Sequence, residues 1–381
     1  MRVLVVSGIW PPDVGGPASH APEVAAFLLG RGHEVEAVIT ADAAPAAESY
    51  AVQWVPRSLP VGVRHAQGVR LVATHARRAD VVYTTGMFGR SSLGALLART
   101  PYVVKLTADA AYERARRLGL WHGSLDEFQR SPAAITLPLR LARDADVRLA
   151  AHIVTPSAYL RGLALGWGAR PERVTVLPNP APPLPELRPR EELRRELGFE
   201  GPTLVFAGRL AAQKSLEVGI EAARRAGVAL VIAGEGPERA ALERLGHARF
   251  LGPLSRTAVL ELFRAGDASL VSSAWENFPH TVVEALAVGT PVIATRTGGV
   301  AEVVRDGENG LLVEPGDVEA LADAIRRFFA GLEEGLRANA AGSVAEYAAE
   351  RVYGRLEEIL LAAAATKAHR APPQNLRRAA P

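Results

Sequence analysis

No cysteine occurs in the 381 residues, which excludes disulfide bonds and thiol chemistry. Lysine is nearly as scarce, with only Lys105, Lys214 and Lys367, so arginine carries almost all the positive charge. The arginine and alanine excess reads as coding bias rather than function. Long apolar runs are missing too, and the longest, such as 360–365, fall far short of the ~20 residues that cross a bilayer. The opening Met1-Arg2-Val3-Leu4-Val5-Val6-Ser7 turns at Gly8 and two prolines without the apolar region and cleavage site of a signal peptide. A cytoplasmic protein is expected, with peripheral contact at the inner face of the membrane left open. Residues 1–180 hold 20 Lys and Arg against 14 Asp and Glu, and residues 181–381 hold 24 against 27, giving +6 and −3. That basic excess is scattered and lacks interleaved aromatics, which argues against a nucleic-acid partner.

The 48% of apolar residues is ample for two cores, and the length predicts two α/β domains of roughly 180 residues each. Short apolar runs alternate with helical stretches, the pattern of parallel sheets covered by helices on both faces. Strands are predicted at 2–7, 34–39, 80–84, 102–106, 152–155 and 173–177. The proline-rich run 178–185 then breaks regular structure and reads as a stiff connector. Strands resume near 203–207, 228–233, 249–251, 268–272, 291–295 and 311–313. The expected organisation is an N-terminal domain 1–180, a linker 181–190, a C-terminal domain 191–342, a helix 343–365 packing back on the first domain, and a disordered tail 366–381. Ligands of paired sheets of this kind bind at the carboxyl ends of the strands, in the crevice between the domains.

The most informative segment is 272–294. A strand ending near Ser272, a loop, and Pro279 at a favoured first-turn position predict a helix over 279–288 stopped by Gly289. The N–H groups of Phe278, His280 and Thr281, at the positive end of that helix, suit phosphate and sugar oxygens. Glu276 precedes the helix and Glu284 lies inside it, so two carboxylates can accept hydroxyl hydrogen bonds at two places on one extended ligand. A cap and an exposed helix position are their ordinary readings. Glu284, however, sits between Val283 and Ala285-Leu286 in an apolar helix, and a buried glutamate needs a partner. Directly after the strand at 203–207, Gly208 lets the backbone approach a ligand, while Arg209 and Lys214 project two cations suited to a diphosphate leaving group. Gly15 and Gly16 form a paired-glycine turn at a helix entrance, which admits an anion to backbone amides.

The run Glu276-Asn277-Phe278-Pro279-x4-Glu284-Ala285-Leu286-Ala287-x-Gly289-x-Pro291-Val292-Ile293-Ala294 resembles the E-x7-E signature of the retaining GT-B glycosyltransferases of family 4. The resemblance covers nearly the whole chain and is stronger in the second half. It implies two Rossmann-like, doubly wound parallel-sheet domains facing a central cleft. It also implies that Glu276 contacts the donor sugar and Glu284 the nucleotide ribose. Gly208-Arg209-Leu210-x3-Lys214 is similar to the family's phosphate clamp, with Ser215 where glycine is common. By the same resemblance Gly15 and Gly16 reach the donor phosphates and Leu254 meets the nucleobase; His280, by its place at the helix start, contacts sugar or phosphate or is an ordinary surface histidine. Asp109, in an Ala108-Asp109 pair where relatives carry histidine or Gly-Asp, is either catalytic or a helix cap, and Lys105 and Thr107 lie beside it.

The implied activity is retaining transfer of a hexose from a UDP-, GDP- or ADP-sugar to the hydroxyl of a glycan, lipid-linked sugar or small molecule. Neither metal nor cofactor is implied beyond the co-substrate. An epimerase, a phosphorylase or a non-catalytic sugar-nucleotide sensor are the alternatives. The E-x7-E pattern, the absence of a spare lysine for pyridoxal and the intact charged set weigh against each in turn. Two look-alikes are set aside: Asp144-Ala145-Asp146, read as a connector rather than a metal site, and Gly234-Glu235-Gly236-Pro237, read as a structural turn.

Overall fold

The computed structural model describes residues 1–13, 16–131 and 133–370. The chain divides into two compact units. One comprises Met1–Thr155, Leu160–Leu177 and the chain from Tyr353 onward; the other comprises Pro156–Tyr159 and Pro178–Val352.

The first unit is built on a seven-stranded sheet: β1 (Arg2–Ser7), β2 (Glu34–Ala41), β3 (Ala51–Pro56), β4 (Val81–Thr84), β5 (Tyr102–Lys105), β6 (His152–Thr155) and β7 (Val174–Val176). Their order is β3-β2-β1-β4-β5-β6-β7, and every neighbouring pair is parallel. Val3 pairs with Val35 on one side and Val81 on the other. Such interior strands are covered on both faces, so they read as unbroken apolar runs. The edge strand β3 is different: it alternates exposed and half-buried residues around Gln53, and the sequence reading missed it for want of that run.

Three other expectations for this unit are corrected. Asp144-Ala145-Asp146 lies inside the helix Leu137–Leu149, not in a connector. Residues two apart on a helix point in different directions, and accordingly Asp144 pairs with Arg143 while Asp146 accepts from Ser92. The C-terminal helix runs Ala349–Arg370 instead of starting at 343, and a 3-10 segment, Gly342–Tyr347, precedes it. It therefore continues past Thr366, where disorder was expected; residues 371–381 lie outside the described residues. Its length is fixed to the first unit by Tyr353 donating to Glu23 at 2.7 Å, by His33 at 2.7 Å from Glu357, and by Lys367 donating to Thr100 at 3.0 Å.

The second unit holds β8 (Thr203–Ala207), β9 (Ala229–Ala233), β10 (Ala248–Gly252), β11 (Ala268–Val271), β12 (Val292–Thr295) and β13 (Gly310–Val313), in the order β10-β9-β8-β11-β12-β13 and again parallel. The two-residue period of a strand sorts its side chains to opposite faces. Val205 and Ala207 enter one core layer with Phe263, Val283 and Leu286; Leu204 and Phe206 enter the other with Ile220, Leu321 and Ile325. Each such large side chain contributes about 1.5–3 kcal/mol on burial.

Residues 178–189 are irregular but held down on the second unit. Ala181 N–H donates to the Tyr347 carbonyl at 2.7 Å, and Arg188 grips Glu261 with two bonds of 2.8 and 2.9 Å. In both sheets the chain lays two strands outward from the first and then returns to its other side. The two return points lie between β1 and β4 and between β8 and β11, which is where open parallel sheets take ligands.

Candidate functional site

At the return point of the second sheet two loops meet, one following β8 and one following β11. They are laced together: Ala274 N–H donates to the Gln213 carbonyl at 2.9 Å, Gln213 Nε2 to the Trp275 carbonyl at 3.0 Å, and Ser272 Oγ to the Lys214 carbonyl at 3.0 Å. Behind the first loop stands the turn after β9, with Leu210 N–H donating to Glu235 at 2.9 Å and Glu238 N–H to Leu210 at 3.1 Å. The Gly234–Gly236 stretch thus buttresses the loop carrying Arg209 and Lys214.

Lys214 and Glu276, the two charged ends of these loops, form an ion pair with side chains 20% and 7% exposed. Ser273 Oγ donates to the same Glu276 oxygen at 2.8 Å, which leaves Oε2 without a partner among the described residues. Removing one member of a buried pair strands the other charge at about 3–5 kcal/mol, so each holds the other in place. The Glu276 backbone is clasped from the loop after β12. Gly299 N–H donates to its carbonyl at 3.2 Å, and a Cβ on Gly298 would lie 1.7 Å from that oxygen. Thr297, Gly298 and Gly299 escaped the sequence reading, although a Thr-Gly-Gly run after a strand is a turn signal. Asn277 Oδ1 and Thr297 Oγ1 are enclosed here with no hydrogen-bond partner among the described residues. Arg209 is exposed, and its guanidinium has no partner among the described residues.

The following helix runs His280–Ala287, with Pro279 at its N-cap and no side chain capping it. Phe278 is buried edge-on to His280 and Tyr347, with centroids 6.0 and 6.2 Å apart, and His280 lies 3.0 Å from Asn179. Thr281 is half-buried. One turn further in, Glu284 is only 16% exposed, and its one ionic partner among the described residues is Arg256 at 3.6 Å. Burial pushes its carboxyl pKa up, and Arg256 offsets this in part. Arg256 opens the helix Arg256–Ala265 after β10, and no sequence motif marked it. Leu254, just before that helix, packs its side chain partly into the core.

The predicted residues of the first unit fare differently. Gly15 lies outside the described residues, and Gly16 opens the helix Gly16–Gly30. Asp109 caps the helix Ala110–Arg117, as one of its two readings expected. It is fully buried, accepts from Ala111 and Tyr112 N–H at 2.9 and 3.2 Å, and meets Gln129 and Arg143 at 2.7 Å each. Four donors consume the carboxylate. Lys105 does not project from the strand end either: it is 1% exposed, donates to the Leu177 carbonyl at 3.1 Å, and burial pulls its pKa down to about 7.

Comparison with known proteins follows this geometry. Residues 189–343 match the family "Glycosyl transferases group 1", and residues 15–180 match the "Glycosyl transferase 4-like domain". D-inositol 3-phosphate glycosyltransferase of Acidothermus cellulolyticus is 35% identical over 227 residues, 52% of this chain and 50% of that protein. Glycogen synthase of Mycobacterium tuberculosis is 26% identical over 374 residues, 86% of this chain and 85% of that one. The chain spans about half the length of the inositol 3-phosphate glycosyltransferases it matches. Among solved structures, Anabaena HepE in complex with UDP has a TM-score of 0.74 at 21% identity, covering 95% of this chain and 100% of that one. Sucrose-phosphate synthase from Thermosynechococcus elongatus has a TM-score of 0.75 at 20% identity, covering 95% and 99%. The architecture is GT-B, two Rossmann-like α/β units. With both family matches, the chain belongs to the group 1 glycosyltransferases.

Two stability predictions follow from this unit. Ser215 is held at φ +43°, a left-handed backbone that suits glycine, so Ser215→Gly should gain about 0.5–1 kcal/mol in chemical denaturation. Glu284 keeps its proton to higher pH when folded, so its ionised form opposes folding above the unfolded value of about 4.3 and has no effect below it. Glu284→Gln should therefore melt higher than the parent at pH 8 and level with it at about pH 4. A lower melting temperature at pH 8 would contradict the burial reading.

Proposed function

We propose that this protein transfers a hexose from a nucleoside-diphosphate sugar to an acceptor hydroxyl with retention of anomeric configuration and without a metal ion. The observation that carries the reading is the Lys214–Glu276 pair at the return point of the second sheet, with Glu276 Oε2 unpartnered among the described residues. Arg209, Lys214 and the uncapped start of the helix His280–Ala287 would take the diphosphate oxygens and stabilise the charge that develops on the leaving group. Glu276 would accept from hydroxyls of the donor sugar and Glu284 from those of the ribose. HepE's structures with UDP and with UDP-glucose make UDP-glucose the first donor to try.

In the proposed step the bond from the anomeric carbon to the phosphate oxygen breaks as the acceptor oxygen bonds the same face of that carbon. The acceptor proton passes to the departing phosphate oxygen, so no enzyme nucleophile is needed. The Asn277 and Thr297 oxygens near Glu276, without partners among the described residues, support a polar ligand at this place.

Calorimetry with UDP-, GDP- and ADP-glucose tests the donor half. Arg209→Ala and Glu284→Gln should each weaken binding of the accepted donor by about tenfold or more, the range for a lost charge-assisted hydrogen bond. Affinities equal to the parent's would sink the assignment. NMR of the first product should show the donor's anomeric configuration, and turnover should survive chelator.

A further inference from the structure

The first sheet has its own return point, between β1 and β4, and its carboxyl ends carry arginines that donor binding does not use. Arg90 sits in the first turn of the helix Phe88–Ala98, directly after β4. It is half-buried, and its guanidinium has no hydrogen-bond or ion-pair partner among the described residues; Nη1 is fully enclosed. Its stem rests on Gly68 of the helix Val61–Ala76, where an added Cβ would lie 2.9 Å from Arg90 Cδ.

The charges around Arg90 are of its own sign. Burial, then repulsion from Arg64 and Arg114, holds its pKa down to about 10. Arg114 is exposed, with no side-chain partner among the described residues, and Arg64 spends one nitrogen on the Arg57 carbonyl at 2.7 Å. Arg57 is neutralised by Asp13 and Asp42 and does not extend the cluster. A half-buried cation with one nitrogen enclosed and no ion-pair partner among the described residues destabilises the fold, and an arriving anion would remove that penalty.

We infer that Arg90, with Arg64 and Arg114, binds a phosphomonoester group carried by the acceptor. Three guanidiniums match the charge of nearly −2 and the three acceptor oxygens of such a group better than the single charge of a carboxylate. Only the assignment to the acceptor rests on the transferase reading; the anion site stands apart from it.

The test is calorimetry with inorganic phosphate at fixed ionic strength and saturating UDP, on the parent and on Arg90→Met, with acetate as the control anion. The parent should take phosphate in preference to acetate, and Arg90→Met should bind phosphate at least about tenfold more weakly while holding UDP-glucose as the parent does. Arg90→Met should also melt higher in phosphate-free buffer, because an uncompensated charge is gone. Glucose 6-phosphate and vesicles containing phosphatidic acid, compared at equal phosphate, separate a soluble acceptor from a lipid one. Equal phosphate affinity in parent and variant, or no phosphate binding by the parent, overturns the site. If the parent takes phosphate but no nucleotide sugar, the site stands and the transferase reading falls; the reverse result removes the site alone.

Discussion

The second unit depends on one enclosed ion pair. Lys214 comes from the loop after β8 and Glu276 from the loop after β11, and their contact spans the place where the sheet reverses its direction of growth. Neither charge is tolerable alone at that depth, so the pair obliges the two loops to fold together. Backbone and side-chain bonds through Gln213, Ser272, Ala274 and Trp275 run alongside and fix the spacing. The cation and carboxylate are thereby fixed in position, the preorganisation on which the proposed donor binding rests.

Close backbone approach maintains that arrangement. The turn after β12 presses on the Glu276 carbonyl through Gly298, where no side chain fits, and the turn after β9 supports the Arg209 loop from the other side. Glu284 follows a different logic. It is half-buried, with Arg256 at 3.6 Å its one ionic partner among the described residues, so its ionised form is under-compensated within the protein. The first unit shows the same kind of imbalance with the opposite sign, in the half-buried Arg90 repelled by Arg64 and Arg114. Both groups lack full compensation from the described residues around them, a local departure from the consistency of the rest of the fold.

Much of this was legible in the sequence. Central strands such as Val3–Val6 and Leu204–Ala207 are apolar on both faces and announced themselves, and the spacing of Glu276 and Glu284 around Pro279 placed both on one loop and helix. What stayed hidden depended on neighbours distant in the chain. The edge strand β3 lacks a continuous apolar run. Asp109 reads alike as a cap or an acid until Arg143 and Gln129 are seen closing over it. Lys105 ends a strand in sequence yet lies inside the sheet, and Asp144-Ala145-Asp146 spells a metal motif on a helix that splays its two acids apart. Arg256 and the Gly298 contact belong to other strands' loops, and only the topology brings them to Glu284 and Glu276.

The interdependence of Lys214 and Glu276 is tested most directly by a double-mutant cycle on UDP-glucose affinity, using Lys214→Met, Glu276→Gln and the double variant. If the pair acts as one unit, the double variant should lose less than the sum of the single losses, by about 1 kcal/mol or more. Losses that simply add, or affinities unmoved in either single variant, would contradict it.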